Sequence, residues 1–171
     1  MKPKLIILSD LWGRQKAHWL PHYTRLLSDK YTLTFYDCCE LGGIDLSHDQ
    51  EESLHRQFIE GGIERAVIKL LKLETQPLRI LAFSIGGTIA WKFGLRGGRI
   101  ERLTCVSSTR LRKETEKPLG NIHLYFGEED PYRPQQEWFQ QMKIPFTLLP
   151  HQSHDMYEGA GFAEWLTSKM R

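Results

Sequence analysis

Three kinds of side chain that can together break an acyl bond stand at the ends of apolar runs in this chain. Ser84 follows the run that starts at Leu78, the acidic trio Glu128, Glu129 and Asp130 follows Ile122 to Phe126, and His151 and His154 follow Phe146 to Leu149. A serine hydroxyl is a poor nucleophile until a base takes its proton. The base is usually a histidine held in one tautomer by a carboxylate. Serine, acid and histidine thus occur in that order, each just past a segment that reads as a strand. A serine before two glycines is also what an ordinary helix cap or a phosphate-binding turn looks like.

The stretch around Ser84 favours the chemical reading. It runs Leu81-Ala82-Phe83-Ser84-Ile85-Gly86-Gly87-Thr88, and Ile89, Ala90 and Phe93 follow at helical spacing. A strand that turns this abruptly into a helix strains the residue at the corner and leaves room only for small neighbours. Ala82 and Gly86 supply them. The hydroxyl then projects from the turn, and the amide of Ile85 points into the same space from a helix N-terminus.

The elements that must hold these groups alternate. Strands are expected at Lys4 to Leu8, Tyr31 to Tyr36, before Ser84, at Leu103 to Val106, Ile122 to Phe126 and Phe146 to Leu149. Helices are expected at Ala17 to Leu27, Glu51 to Leu73 with a bend at Gly61-Gly62, from the elbow to about Arg96, after Pro134, and around Phe162 to Leu166. Cys38 to His48 reads as a loop. The alternation predicts an α/β fold of one domain, a three-layer sandwich with a mostly parallel six-stranded sheet and helices on both faces. Such sheets bind ligands at the carboxyl ends of their strands, where Ser84 and the acidic and histidine loops fall.

Bulk properties narrow the classes. A chain of 171 residues with 40% hydrophobic and 26% charged residues suits one soluble domain with a core of its own. A net charge of +2 gives no argument for nucleic acid or a membrane surface. The early apolar run Leu5 to Leu8 is too short for a signal peptide or a span. Cys38, Cys39 and Cys105 are an odd set and read as reduced thiols of a cytoplasmic protein. His151 and His154 lack the cysteine partners of a zinc site, and no Walker or Gly-x-Gly-x-x-Gly sequence follows a strand, so neither metal nor nucleotide is expected.

Ala82-Phe83-Ser84-Ile85-Gly86 resembles the nucleophile elbow of the alpha/beta-hydrolase superfamily, with alanine for the usual first glycine. The resemblance extends over nearly the whole chain. It implies a catalytic triad of Ser84, Asp130 and His154. The Gly-x-x-Asp pattern Gly127 to Asp130 selects Asp130 over its acidic neighbours, and the small Ser153 before the histidine selects His154. It implies an oxyanion hole built from the amides of Ile85 and Trp12, although Asp10-Leu11 stands where the family often has His-Gly. The lid usual after the fourth core strand shrinks to Ser107 through Gly120, which implies a lidless, open site. The Trp-Gly and Ser-x-Gly-Gly segments are also similar to the esterases that release pimeloyl-acyl carrier protein from its methyl ester.

The expectation is therefore a serine hydrolase that cleaves a carboxylic ester or thioester through an acyl-enzyme and needs no cofactor. Leu11, Phe83 and Met156 flank the catalytic groups and are expected to bind the acyl chain. The substrate is a small acyl ester or thioester, free or carried on an acyl carrier protein or coenzyme A. Arg110, Arg112, Lys113 and Lys117 offer either a basic rim for such a carrier or a solvated loop. The competing expectation is a non-catalytic protein of the same fold that binds a ligand or partner.

Overall fold

A computed structural model describes residues 1–170. Its core is a six-stranded sheet in the order β2-β1-β3-β4-β5-β6. The strands are β1 (Lys4–Leu8), β2 (Thr32–Tyr36), β3 (Leu78–Phe83), β4 (Ile100–Val106), β5 (Asn121–Gly127) and β6 (Phe146–Leu149). Every pairing is parallel, so the sheet is parallel throughout rather than mostly so. Parallel neighbours need long crossovers, and the helices supply them. They are α1 (Leu20–Leu27), α2 (Cys38–Gly42), α3 (Glu51–Gln57), α4 (Ile63–Leu73), α5 (Ile85–Leu95), α6 (Gln136–Met142) and α7 (Ala160–Lys169).

Side-chain alternation along the strands splits the core into two layers. Leu5 and Ile7 of β1, with Leu81 and Phe83 of β3, pack against Trp19, Tyr23, Leu27 and Leu166 under α1 and α7. Ile6 and Leu8, with Ile80 and Ala82, pack against Leu54, Phe58, Val67, Ile89 and Trp138 under the helices of the opposite face. Because β3 is covered on both faces, it and α5 are almost wholly buried.

One expectation is corrected and another is met. Cys38 to Gly42 is a short helix, not a loop. Asp37 caps it by accepting from the Cys39 and Glu40 amides, and Gly43 ends it at a φ of 61°. The long helix expected from Glu51 to Leu73 is present and bends as expected, through a wide turn at Phe58–Gly62 in which Gly61 adopts a φ of 136°. The bend lies at the glycine pair, and its effect is to give α3 a direction of its own.

The segment after β4 folds as a short 3-10 turn, Leu111–Lys113, and two buried indoles hold it to the body. Trp91 Nε1 donates to Glu116 O and Trp138 Nε1 to Glu114 O, each at 2.9 Å. No helix among the described residues is long and apolar enough to cross a membrane.

Candidate active site

Strand order reverses at β1, since β2 lies on one side of it and β3 on the other. The crevice at the carboxyl ends of β1 and β3 is the place where open α/β sheets bind ligands. Ser84 ends β3 there, at φ 51° and ψ −119°. A non-glycine residue in that region carries a strain of about 1–3 kcal/mol. It is held there by its amide, which donates to Val106 O at 2.9 Å, and by the helix that begins at the next residue. Ala82 lies in register between Leu8 and Cys105 and is fully buried. A Cβ on Gly86 would lie 2.5 Å from Ser9 O. The small residues flanking the serine are therefore required by the approach of the β1 end to the elbow.

The Ser84 Oγ lies 3.0 Å from His154 Nε2, and His154 Nδ1 lies 2.8 Å from Asp130 Oδ2. The other carboxylate oxygen, Oδ1, accepts the Tyr132 amide at 2.8 Å. Asp130 is buried, whereas the His154 side chain stays about a quarter exposed, at 26%. The carboxylate thus fixes which ring nitrogen faces the serine, and the ring retains access to water. Two loops carry these residues in direct backbone contact. Glu129 N donates to Gln152 O at 2.9 Å, and a Cβ on Gly127 would fall 2.3 Å from that same oxygen. The Gly-x-x-Asp pattern is thus the imprint of one loop crossing another. His154 opens a 3-10 turn, His154–Glu158, and His151 is exposed on the preceding bend.

A cleft of about 380 Å³ opens on Ser84 and His154, walled by Leu11, Thr109, Tyr132 and three residues of α3, Glu51, Glu52 and His55. The α3 residues escaped the sequence reading. Their spacing marks only the outer face of an amphipathic helix, and α3, separated from α4 by the kink at Gly61 and anchored by Leu54, brings that face to the cleft. Burial lowers the His55 pKa below the ordinary imidazole value, and the nearby positive charges of Arg110, Arg112 and Lys113 lower it further against the opposing pull of Glu51. So His55 faces the cleft as a neutral ring at neutral pH. A wider groove of about 570 Å³, lined by Pro21, Arg25, Leu33 and Phe35 among others, contains none of the triad residues.

The remaining residues singled out from the sequence divide. Leu11 reaches the cleft. Phe83 and Met156 do not: Phe83 is fully buried among Trp19, Tyr23 and Tyr157, and Met156 is buried in the same layer. Alternation along β3 sends Phe83 to the α1/α7 face, away from the opening. Trp12 lines a separate surface groove, with the Lys16 ammonium 3.9 Å from its ring centre. Its amide donates to Asp10 Oδ1 at 3.0 Å. Ile85 is the first residue of α5, so its amide has no partner within the helix.

No protein-family model matches the chain, and no curated protein matches it in sequence. Solved structures do. A protein from Xanthomonas campestris pv. campestris assigned to the alpha/beta hydrolase superfamily superposes with a TM-score of 0.71 at 14% identity, over 99% of this chain and 98% of that one. The carboxylesterase CesB from Bacillus subtilis matches with a TM-score of 0.63 at 15% identity, over 99% and 82% of the two chains. Est1E from Butyrivibrio proteoclasticus gives 0.61 at 13%, over 99% and 87%. The narrower similarity to pimeloyl-acyl carrier protein methyl ester esterases gains no support from these likenesses. With its parallel sheet, its strained serine at the β3–α5 corner and these full-length superpositions, the chain has the alpha/beta-hydrolase fold in a minimal form.

Proposed function

We propose that the protein is a serine hydrolase of carboxylic esters or thioesters. The observation that carries this reading is the unbroken chain of contacts from Ser84 Oγ through His154 to Asp130, at 3.0 and 2.8 Å, on a serine strained at φ 51°. Ser84 attacks the acyl carbonyl while His154 Nε2 takes its proton. His154 then gives that proton to the leaving alcohol or thiol. Asp130 holds the ring and stabilises its cation. The Ile85 amide and a second amide from the loop after β1 receive the oxyanion. Water, activated by the same histidine, releases the acid and restores Ser84.

The acyl group is free or rides on a phosphate-bearing carrier such as coenzyme A or an acyl carrier protein. Arg112 supports the second case, because its guanidinium donates to the carbonyl of Tyr132 on the cleft wall. The esterase names among the similar folds support the reaction class.

Labelling with a fluorophosphonate tests the reading directly. The native protein is expected to label, and Ser84→Ala is not. Ser84→Ala and His154→Ala are expected to lower turnover of a matched ester by roughly 10³-fold or more with the fold intact. A folded native protein that never labels would show a binding protein on a hydrolase frame.

A further inference from the structure

The amides of Leu11 and Trp12 in the loop after β1 are the two candidates for the second oxyanion donor, and their hydrogen bonding differs. Trp12 N–H is spent on the Asp10 carboxylate, and the Trp12 ring lies in a groove away from Ser84. Leu11 lies on the wall of the Ser84 cleft, and among the described residues its N–H donates to no acceptor. The loop is pressed against the elbow, with Ser9 O where a Gly86 side chain would begin.

The loop is also braced from behind. Cys38 N donates to Ser9 Oγ at 2.8 Å, Cys38 Sγ to Ser9 O at 3.1 Å, and Cys39 Sγ to Leu11 O at 2.9 Å. The peptide group that carries the Leu11 N–H is held through its own carbonyl, Asp10 O, which accepts from Ser9 Oγ at 2.9 Å and from the Gly13 amide at 3.3 Å.

Asp10 itself has no part in proton transfer, yet it is a carboxylate only 1% exposed. Its Oδ1 takes the Trp12 amide and its Oδ2 the Tyr157 hydroxyl at 2.8 Å, across 147 residues of chain. Tyr157 belongs to the turn that His154 opens. A buried carboxylate with these two partners ties the loop after β1 to the element that carries the base. It also draws one amide of the pair out of competition.

We propose that the second oxyanion donor is the backbone amide of Leu11, and that Asp10 is the positioning residue that determines this by holding the Trp12 amide and the Tyr157 hydroxyl. The proposal rests on the serine-hydrolase reading. It places the donor one residue earlier than the Trp-Gly pair suggests. Asp10 then stands in for the histidine that often precedes this loop, and it works through hydrogen bonds rather than through contact with substrate.

Amide-to-ester replacement of single residues removes one N–H without touching a side chain. An ester at position 11 is expected to lower kcat roughly 10²-fold, the usual cost of one oxyanion donor, with little change in KM. An ester at position 12 puts an oxygen against the Asp10 carboxylate and also lowers kcat. Asp10→Asn distinguishes the two. The side-chain amide turned about gives an N–H to the ester oxygen and an acceptor to Tyr157. It should therefore restore the position-12 ester to within about threefold of Asp10→Asn alone, and it should not restore the position-11 ester. Rescue of the position-11 ester, or a position-12 ester left inactive beside a position-11 ester of near-native kcat, overturns the assignment. Fluorophosphonate labelling of the unmodified chain keeps the two levels apart. If it labels at Ser84 and the esters behave otherwise, only the donor assignment falls. If it does not label, the hydrolase reading falls first.

Discussion

The carbonyl oxygen of Ser9 sits 2.5 Å from where a Cβ on Gly86 would be. The obstacle is backbone, which cannot swing aside as a side-chain tip can. Gly86→Ala must push the β1 end away from the elbow, and overpacking of this kind costs about 1–3 kcal/mol. Urea unfolding is expected to show that loss, and fluorophosphonate labelling of the folded variant should slow as the loop after β1 retreats.

Ser84 presents the opposite case. Its φ of 51° is a conformation that glycine adopts freely and serine does not. Ser84→Gly should be inactive yet more stable than the native chain, by about 1 kcal/mol, provided the relief outweighs the greater freedom of glycine in the unfolded state. Thermal and urea melts of Ser84→Gly beside Ser84→Ala check this, with the glycine variant expected to be the more stable.

Burial raises the Asp10 carboxyl above its ordinary value, and Glu158 adds to the effect, while hydrogen bonds from Tyr157 and Trp12 oppose it. The folded protein therefore holds this proton to higher pH than the unfolded chain, where it leaves near pH 3.9. The stability that Asp10 contributes is complete below about pH 4 and falls as pH rises through the folded value. Asp10→Asn has no charge to bury. Its Tm relative to the native protein should rise between pH 4 and pH 7. A difference that is the same at both ends would contradict this account.

The three cysteines are free and buried. Burial pushes the thiols of Cys39 and Cys105 up to about 12 and raises Cys38 as well. Thiolate is the reactive form, so a thiol reagent at pH 8 should modify none of them while the chain is folded and all three in denaturant. A fast-reacting Cys38 or Cys39 in the native protein would show that α2 opens, and a fast-reacting Cys105 that β4 becomes exposed.

The α3 wall predicts selectivity. Glu51 and Glu52 both face the cleft. Their replacement by glutamine should raise kcat/KM for anionic acyl esters relative to cationic ones, by roughly threefold to tenfold at low salt and less at high salt. Equal changes for both substrate charges would remove the wall from substrate contact.

Strand β1 and strand β6 were legible to the residue, because each is a short apolar run with clear breakers on both sides. The elbow was legible because one strained corner leaves a compact signature in five residues. Asp130 and His154 were not separable from Glu128, Glu129 and His151 by residue type. They emerge only where Gly127 admits the crossing loop. The apolar cleft residues were the least legible. Phe83 and Met156 adjoin catalytic residues in sequence, but strand alternation and tertiary packing turn them inward. The α3 wall left no local mark, since its orientation depends on a kink several residues away.

The segment from Asp45 to Gln57 closes on itself, with Leu54 anchoring it in the core. The side-chain amide of Gln57 joins the ends, accepting from Asp45 N at 2.7 Å and donating to Asp45 O at 2.9 Å. Glu51, Glu52 and His55 all lie between those two residues. The α3 residues on the cleft wall thus belong to a segment with a clasp of its own, apart from the strands of the sheet. A new wall can be grafted between the same two ends, and substrate preference can drift there by insertion or exchange, while the strands that hold Ser84, Asp130 and His154 stay as they are.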